Sequence, residues 1–319
     1  MIDKRNRNRV YYWTVRMDIY CCICLKTKDG SNHIRSVTMT ELEKRELQIM
    51  ACKVRMGIIE STNAAKCGHP GGSMSAAELF TYLYNKELNV DPANPKWEDR
   101  DRFVLSKGHT APGLYAALAH RGFFPAPDLL TLRKIDSYLQ GHPNMAMVPG
   151  VDMSTGSLGQ GISVAVGMAL GLRLQGKSAR VYTLLGDGEI QEGQVWEACM
   201  SASHYHLDNL CVIIDNNGLQ IDGDISKVMS PYPIVDKLQA FGFHTIAIDG
   251  HDFDQIESAL NEAKTVKGKP TAIVMKTVKG KDVSFMENNA GWHGKATNAA
   301  EFEIAMTELK AKLAELEGK

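Results

Sequence analysis

Two apolar runs each break off into oxygen-bearing residues, Asp187 and Asn217, that stand thirty positions apart. Val181-Tyr182-Thr183-Leu184-Leu185 leads into Gly186-Asp187-Gly188, and Leu210-Cys211-Val212-Ile213-Ile214 leads into Asp215-Asn216-Asn217. Short continuous runs with a helical stretch between them are the pattern of parallel strands buried on both faces, and one βαβ unit takes about 30 residues. Asp187 and Asn217 therefore fall at the carboxyl ends of neighbouring strands, the edge at which open α/β sheets bind ligands. One carboxylate and one amide oxygen suit a hard cation, because Mg²⁺ commonly takes one or two protein oxygens and completes its octahedron with phosphate and water. Gly188 opens the following helix, whose free N–H groups favour an anion. Taken alone, Gly-Asp-Gly is equally ordinary turn chemistry.

The rest of the chain has the same alternation. Further strands are expected at Phe103-Val104-Leu105, Thr245 to Ile248 and Thr271 to Met275, which gives an α/β fold with a central parallel sheet flanked by helices. Thr40 followed by Glu43 forms a capping box, and apolar residues from Leu42 to Ile59 continue a long helix to about Lys66. A loop, Cys67 to Gly72, separates it from a second helix expected over Ser75 to about Leu88. Residues 39–298 read as one domain. The tail, 299–319, reads as an amphipathic helix that contacts the domain or covers part of it.

Residues 1–38 differ in charge from the other 281, with eight Lys/Arg against three Asp. They lack the apolar core and small-residue cleavage site of a secretory signal. Asp3, Asp18 and Asp29 weaken a mitochondrial-type presequence. The segment is read as a basic leader, disordered or the product of a start placed upstream of Met39. Over the whole chain 36 Lys/Arg balance 37 Asp/Glu, so there is no basic field of the kind that dominates nucleic-acid binding. The longest apolar runs fall short of the ~20 residues that span a bilayer. Seven cysteines at irregular spacing suit unpaired thiols in a reducing compartment, which points to the cytoplasm.

Four of the ten histidines sit in glycine-flanked loops: His69, His109, His142 and His293. Imidazole titrates near neutrality, which suits proton transfer. The remaining six have no such context, and the His204-x-His206 spacing points two rings apart on a helix. The loop motifs are Lys66-Cys67-Gly68-His69-Pro70-Gly71-Gly72, Asp101 to His109 with Ser106-Lys107-Gly108-His109, Gly141-His142-Pro143, Thr155-Gly156-Ser157-Leu158-Gly159-Gln160-Gly161, and Gly291-Trp292-His293-Gly294. With the two strand-end motifs they resemble transketolase, in that family's order, from about Glu43 to about Lys295.

The resemblance implies a thiamin diphosphate-binding fold and a cofactor pair of thiamin diphosphate and Mg²⁺, with Ca²⁺ or Mn²⁺ able to substitute. It implies that Asp187, Asn217 and the carbonyl of Leu219 hold the metal, and that Gly156, Leu158, Gly188 and Lys276 line the cofactor. Glu192 and Glu197 would lie at a subunit contact near it. His69, His109, His142 and His293 would surround the diphosphate, the thiazolium and the donor hydroxyls. The implied reaction moves a two-carbon ketol unit from a ketose phosphate to an aldose phosphate, as in the pentose phosphate pathway or in catabolism of sulfonated or branched sugars. The family's activating glutamate belongs to a pyrimidine-binding domain that this sequence does not contain. The chain therefore resembles the N-terminal subunit of a split transketolase that needs a C-terminal partner, in an α₂β₂ assembly. Three alternatives compete with this reading: the α subunit of a 2-oxo acid dehydrogenase, a deoxyxylulose-phosphate synthase, and a non-catalytic paralogue. Cys67 to Gly72 and the Ser106 to His109 motif favour transketolase over the first.

Overall fold

The computed structural model describes residues 39–319, and the basic segment 1–38 lies outside them. Five parallel strands form the sheet: β1 (Arg102–Leu105), β2 (Val181–Gly186), β3 (Leu210–Asn216), β6 (His244–Asp249) and β7 (Thr271–Lys276), in the order β1-β2-β3-β7-β6. Two short strands, β4 (Leu219–Gln220) and β5 (Gly223–Asp224), make a separate antiparallel hairpin. The helices are α1 (Glu41–Ala65), α2 (Pro70–Met74), α3 (Ala77–Tyr82), α4 (Ala111–Arg121), α5 (Gln160–Leu174), α6 (Gly193–His204), α7 (Ile225–Val228), α8 (Ile234–Ala240), α9 (Phe253–Thr265) and α10 (Ala299–Glu317).

Period-two alternation along the strands divides the core. Phe103, Leu105, Tyr182, Leu184, Cys211, Ile213, Ile273 and Met275 face one way and pack with α1, α3, α4, α9 and α10. Val104, Val181, Leu185, Val212, Ile214, Ala272 and Val274 face the other way and pack with α5, α6 and α8. Burial on both faces is why these strands are apolar throughout rather than alternating.

The capping box of α1 forms, with the Thr40 side chain accepting from the Glu43 amide and Glu43 answering on the Thr40 amide. Its other end closes at Lys66 with a positive φ of 55°. The second expected helix is broken into three pieces, α2, α3 and a single π-helical turn over Leu83–Glu87, and it begins at Pro70 rather than Ser75. Pro70 stands at the first helical position, where its fixed φ and missing N–H suit a helix start. A Cβ at Gly71 would lie 2.8 Å from the Trp292 carbonyl, so the glycine lets this helix approach the segment that carries His293. The tail helix α10 belongs to the core through Ala305, Met306 and Leu309, and Cys52 of α1 donates to the Leu309 carbonyl at 3.3 Å. No helix among the described residues is long and apolar enough to cross a membrane.

Candidate active site

The ends of β2, β3 and β7 open onto one cavity of about 240 Å³. Gly186 pairs with Asp215 in the parallel register, so Asp187 and Asn217 leave adjacent strands at the same edge. Asp187 is buried, and its two oxygens accept from the amides of Gly188 at 2.8 Å and Gly218 at 2.6 Å. Burial and the nearby Asp215 charge push its carboxyl up to about 6. The Asn217 side-chain oxygen accepts from the Leu219 amide at 3.1 Å, and its Nδ2 donates to Asp215 at 3.3 Å.

Lys279 enters between Leu219 and His293. Its Nζ donates to the Leu219 carbonyl at 3.3 Å and meets His293 Nδ1 at 3.1 Å. A lysine ammonium has no acceptor, so His293 Nδ1 is the unprotonated nitrogen. Burial, then the Lys107 charge, brings the Lys279 amine down to about 8, against the pull of Asp215 and Asp187. Lys107, which lines the cavity, forms a fully buried ion pair with Asp215 and also donates to the Gly72 carbonyl at 2.9 Å. Ser75 at 2.6 Å and Thr277 donate to the same Asp215 carboxylate.

The four loop histidines come together. His69 stands 5.2 Å from His109 and 5.5 Å from His293, ring centre to ring centre, and His109 stacks on His293 at 5.0 Å. His142 lies 6.5 Å from His69. Burial is the first cause of lowered basicity in all four. The Arg133 charge adds to it at His69, brought to about 4, and at His142, while Lys279 adds to it at His293, brought to about 3. All four are neutral rings at neutral pH. His69 Nδ1 is buried and finds no hydrogen-bond partner among the described residues.

Of the residues singled out in the sequence, Asp187, Asn217, Leu219, Gly188, Leu158, Glu192, His109 and His293 line the cavity. Gly156 lies behind them against the His142 ring, which a Cβ there would approach to 3.1 Å. Glu197 is exposed on α6 outside the lining. Lys276 is not brought in either. It is the last residue of β7, where alternation sets it on the Val274 side of the sheet in solvent, and the lysine that reaches the cavity is Lys279, three residues on. Lys107, Asp215 and Gly72 also belong to the site, although the motifs alone do not single them out. Each stands inside a motif visible in the sequence, but a lysine two residues from His109 gives no sign there that it is buried.

Residues 47–314 match the family model described as transketolase, thiamine diphosphate binding domain. The chain belongs to the transketolase family. It is 44% identical over 265 residues to the 6-deoxy-6-sulfo-D-fructose transketolase subunit of a Clostridium species, covering 83% of this chain and 96% of that one. It is 38% identical to an apulose-4-phosphate transketolase subunit of Phocaeicola vulgatus, covering 86% and 98%. Among solved structures, Campylobacter jejuni transketolase superposes with a TM-score of 0.78 at 31% identity, covering 85% of this chain and 45% of that enzyme. The chain thus spans the length of the subunit-type relatives and under half of the single-chain transketolase.

As the thiamine diphosphate-binding part of a transketolase, the chain has a cavity suited in charge to that cofactor. Asp187 is a buried carboxylate without a cationic partner at bonding distance among the described residues, and Lys279 is an ammonium without a carboxylate. A metal-bound diphosphate brings positive charge to the first and negative charge to the second. Among the described residues no cluster of three His, Cys, Asp or Glu is placed to hold a metal by itself.

Proposed function

We propose that this chain is the cofactor-holding subunit of a two-chain transketolase that moves a two-carbon ketol unit between sugar phosphates or their sulfonated analogues. The observation that carries the reading is the cavity, lined by Asp187, Asn217, Leu219, Lys279, His109 and His293, with His69 packed against the last two. Asp187, Asn217 and Leu219 would hold Mg²⁺, with Ca²⁺ or Mn²⁺ able to replace it, and Lys279 would meet the diphosphate. When bound, the cofactor supplies the carbon nucleophile that takes and hands on the ketol unit. The protein holds neutral imidazoles at the sites where sugar hydroxyls gain and lose protons, and a neutral ring can accept a proton at one nitrogen and donate at the other. His69 Nδ1, unpaired and buried, is the nitrogen most in need of a ligand group.

Glu192 on the rim and Glu197 further along α6 would face the partner chain. An apolar fringe supports such a contact: Leu158 and Ile221 line the mouth, and Met229 and Tyr232 stand exposed nearby. The partner would be a C-terminal subunit carrying the pyrimidine-binding domain, in an α₂β₂ assembly. The names of the subunit-type relatives favour a sulfonated or branched sugar substrate over the ordinary pentose phosphates.

The test is ketol transfer to ribose 5-phosphate with Mg²⁺ and thiamin diphosphate, using this chain alone and mixed with the product of the adjacent gene. Xylulose 5-phosphate, 6-deoxy-6-sulfofructose and apulose 4-phosphate are compared as ketol donors. Turnover only in the mixture supports the two-chain reading, turnover by the chain alone overturns it, and the preferred donor identifies the sugar.

A further inference from the structure

His251, just after β6, has no place in the motifs that mark the cavity and does not line it, yet its ring is tied to the segment that supplies Lys279. Its Nε2 accepts from the Val278 amide at 2.9 Å, and its Nδ1 meets Glu78 Oε2 at 3.0 Å. A backbone N–H can only donate, so Nε2 carries the lone pair and the proton sits on Nδ1, donated to Glu78. The backbone therefore selects the tautomer. Behind Glu78 stands Arg55 of α1, fully buried, which donates to the same Oε2 at 2.7 Å and pairs with Asp282 at 3.1 Å. Glu78 thus anchors the imidazole to a rigid charge network on the opposite side from the cavity.

The turn between β7 and Gly280 is held at its carbonyls by the Lys281 amide on Val278 at 3.3 Å and the Asn288 amide on Lys279 at 3.0 Å, and the Thr277 hydroxyl donates to Asp215. The Thr277 amide donates to the Asn216 carbonyl at 3.2 Å, and the Gly280 amide donates to the Gly71 carbonyl at 3.0 Å. Between these points Val278 is held by His251, and the next residue is the one whose ammonium enters the cavity.

We propose that His251 is a positioning residue of the cofactor site: its imidazole, held as the Nδ1–H tautomer between Glu78 and the Val278 amide, fixes the turn that carries Lys279 into the cavity. The inference rests on the cavity being the diphosphate site. Removing the ring leaves the Val278 amide without its acceptor and loosens the turn just ahead of Lys279. Outer residues that orient a binding group typically cost 10–100-fold in affinity when lost, so a loss of roughly tenfold or more is expected.

Two measurements on the full chain test this. In the unsubstituted protein a spectrum with ¹⁵N-labelled histidine, assigned by the peak lost in His251→Gln, reads the tautomer directly. Protonation at Nδ1 is expected, and an Nε2–H ring overturns the proposal without any binding measurement. Calorimetric titration with Mg²⁺ and inorganic diphosphate then compares variants. His251→Leu should bind roughly tenfold or more weakly. His251→Gln, which offers an acceptor to Val278 and a donor to Glu78, should recover most of the loss, and His251→Leu should cost little more once Lys279→Met is already present. His251→Asn, too short to span both partners, takes the place of His251→Leu if that variant does not fold. Unchanged affinity, or a His251→Leu loss that adds in full to that of Lys279→Met, overturns the positioning role alone. No diphosphate binding by the unsubstituted chain overturns the cofactor-site reading, and this inference falls with it.

Discussion

Asp187 at the end of β2 and Glu78 on α3 are both withdrawn from water, at 2% and 7% exposure, yet their carboxyls move in opposite directions. For Glu78 burial opposes ionisation, but Arg55 and His251 outweigh it and hold the group below its usual range. For Asp187 burial is joined by the charge of Asp215, and two backbone N–H groups offset only part of the sum. The first carboxylate belongs to a network completed within the chain; the second is left for a ligand to complete. Lys279 repeats the contrast from the cationic side: Lys107 has Asp215 against it, whereas Lys279 has only a carbonyl and an imidazole. Buried charge without a partner is costly, and its persistence at one edge of the sheet marks the place where binding energy is gained.

The largest effect expected from breaking this contrast is on the completed side. Arg55→Met leaves Glu78 and Asp282 buried without their shared cation, and removal of one member of a buried pair costs about 3–5 kcal/mol. Chemical denaturation of the chain measures it; a loss below about 1 kcal/mol, the range of exposed pairs, would show that the network does not behave as buried. On the unfinished side, Asp187→Ala should abolish Mg²⁺-dependent thiamin diphosphate binding, a larger loss than the roughly 10–100-fold of an outer residue. Calorimetry decides, and retained affinity would remove Asp187 from the metal site.

The contribution of Asp187 to the pH dependence of the cofactor-free chain is smaller and has a definite sign. Asp187 titrates at about 6 when folded and near 4 when unfolded. Folding therefore favours its protonated form, and that stabilisation is present below pH ~4 and lost as pH rises through about 6, on the order of 2–3 kcal/mol. The four loop histidines, whose basicity folding lowers, act in the opposite sense over this range, so the Asp187 contribution is read as a difference: Asp187→Asn should gain melting temperature relative to the unsubstituted chain as pH rises from 4 to 7. Diphosphate binding should be best between about 6, where Asp187 ionises, and about 8, where Lys279 loses its proton. An affinity that keeps rising above pH 9 would exclude Lys279 as the anion's partner. The smallest effect is expected at Lys276. Replacing this exposed strand-end lysine by Met should leave cofactor affinity unchanged and shift stability by no more than about 0.5 kcal/mol; a clear loss of affinity would return it to the site.

The five strands, the capped first helix and the two strand-end motifs were legible because each is written in local pattern. Continuous apolar runs mark two-sided strands, Thr40 with Glu43 marks a helix start, and glycines beside Asp187 and the loop histidines mark backbone that must pass close to something. The second helix begins at Pro70, a start signal inside a glycine-rich stretch that otherwise reads as loop, and its close approach through Gly71 to the Trp292 carbonyl, more than two hundred residues away, is not encoded locally. The expectation of Lys276 at the cofactor failed for a related reason. Lysine at a strand end satisfies a charge argument, but its direction depends on which face the strand presents, and the turn that redirects Lys279 is held by contacts from Asn216, His251 and Gly71.

The sequence by itself determined the family, the parallel sheet and the edge at which ligands bind, because those follow from periodicity and from motif order along the chain. Only the tertiary structure decided which charges are paired. Arg55, Glu78 and His251 come from three separate elements, as do Lys107 and Asp215 from two, and Asp187 and Lys279 from two more. Whether a buried charge is neutralised or left for a ligand depends on separations of a few ångströms across the fold, and no local pattern encodes them.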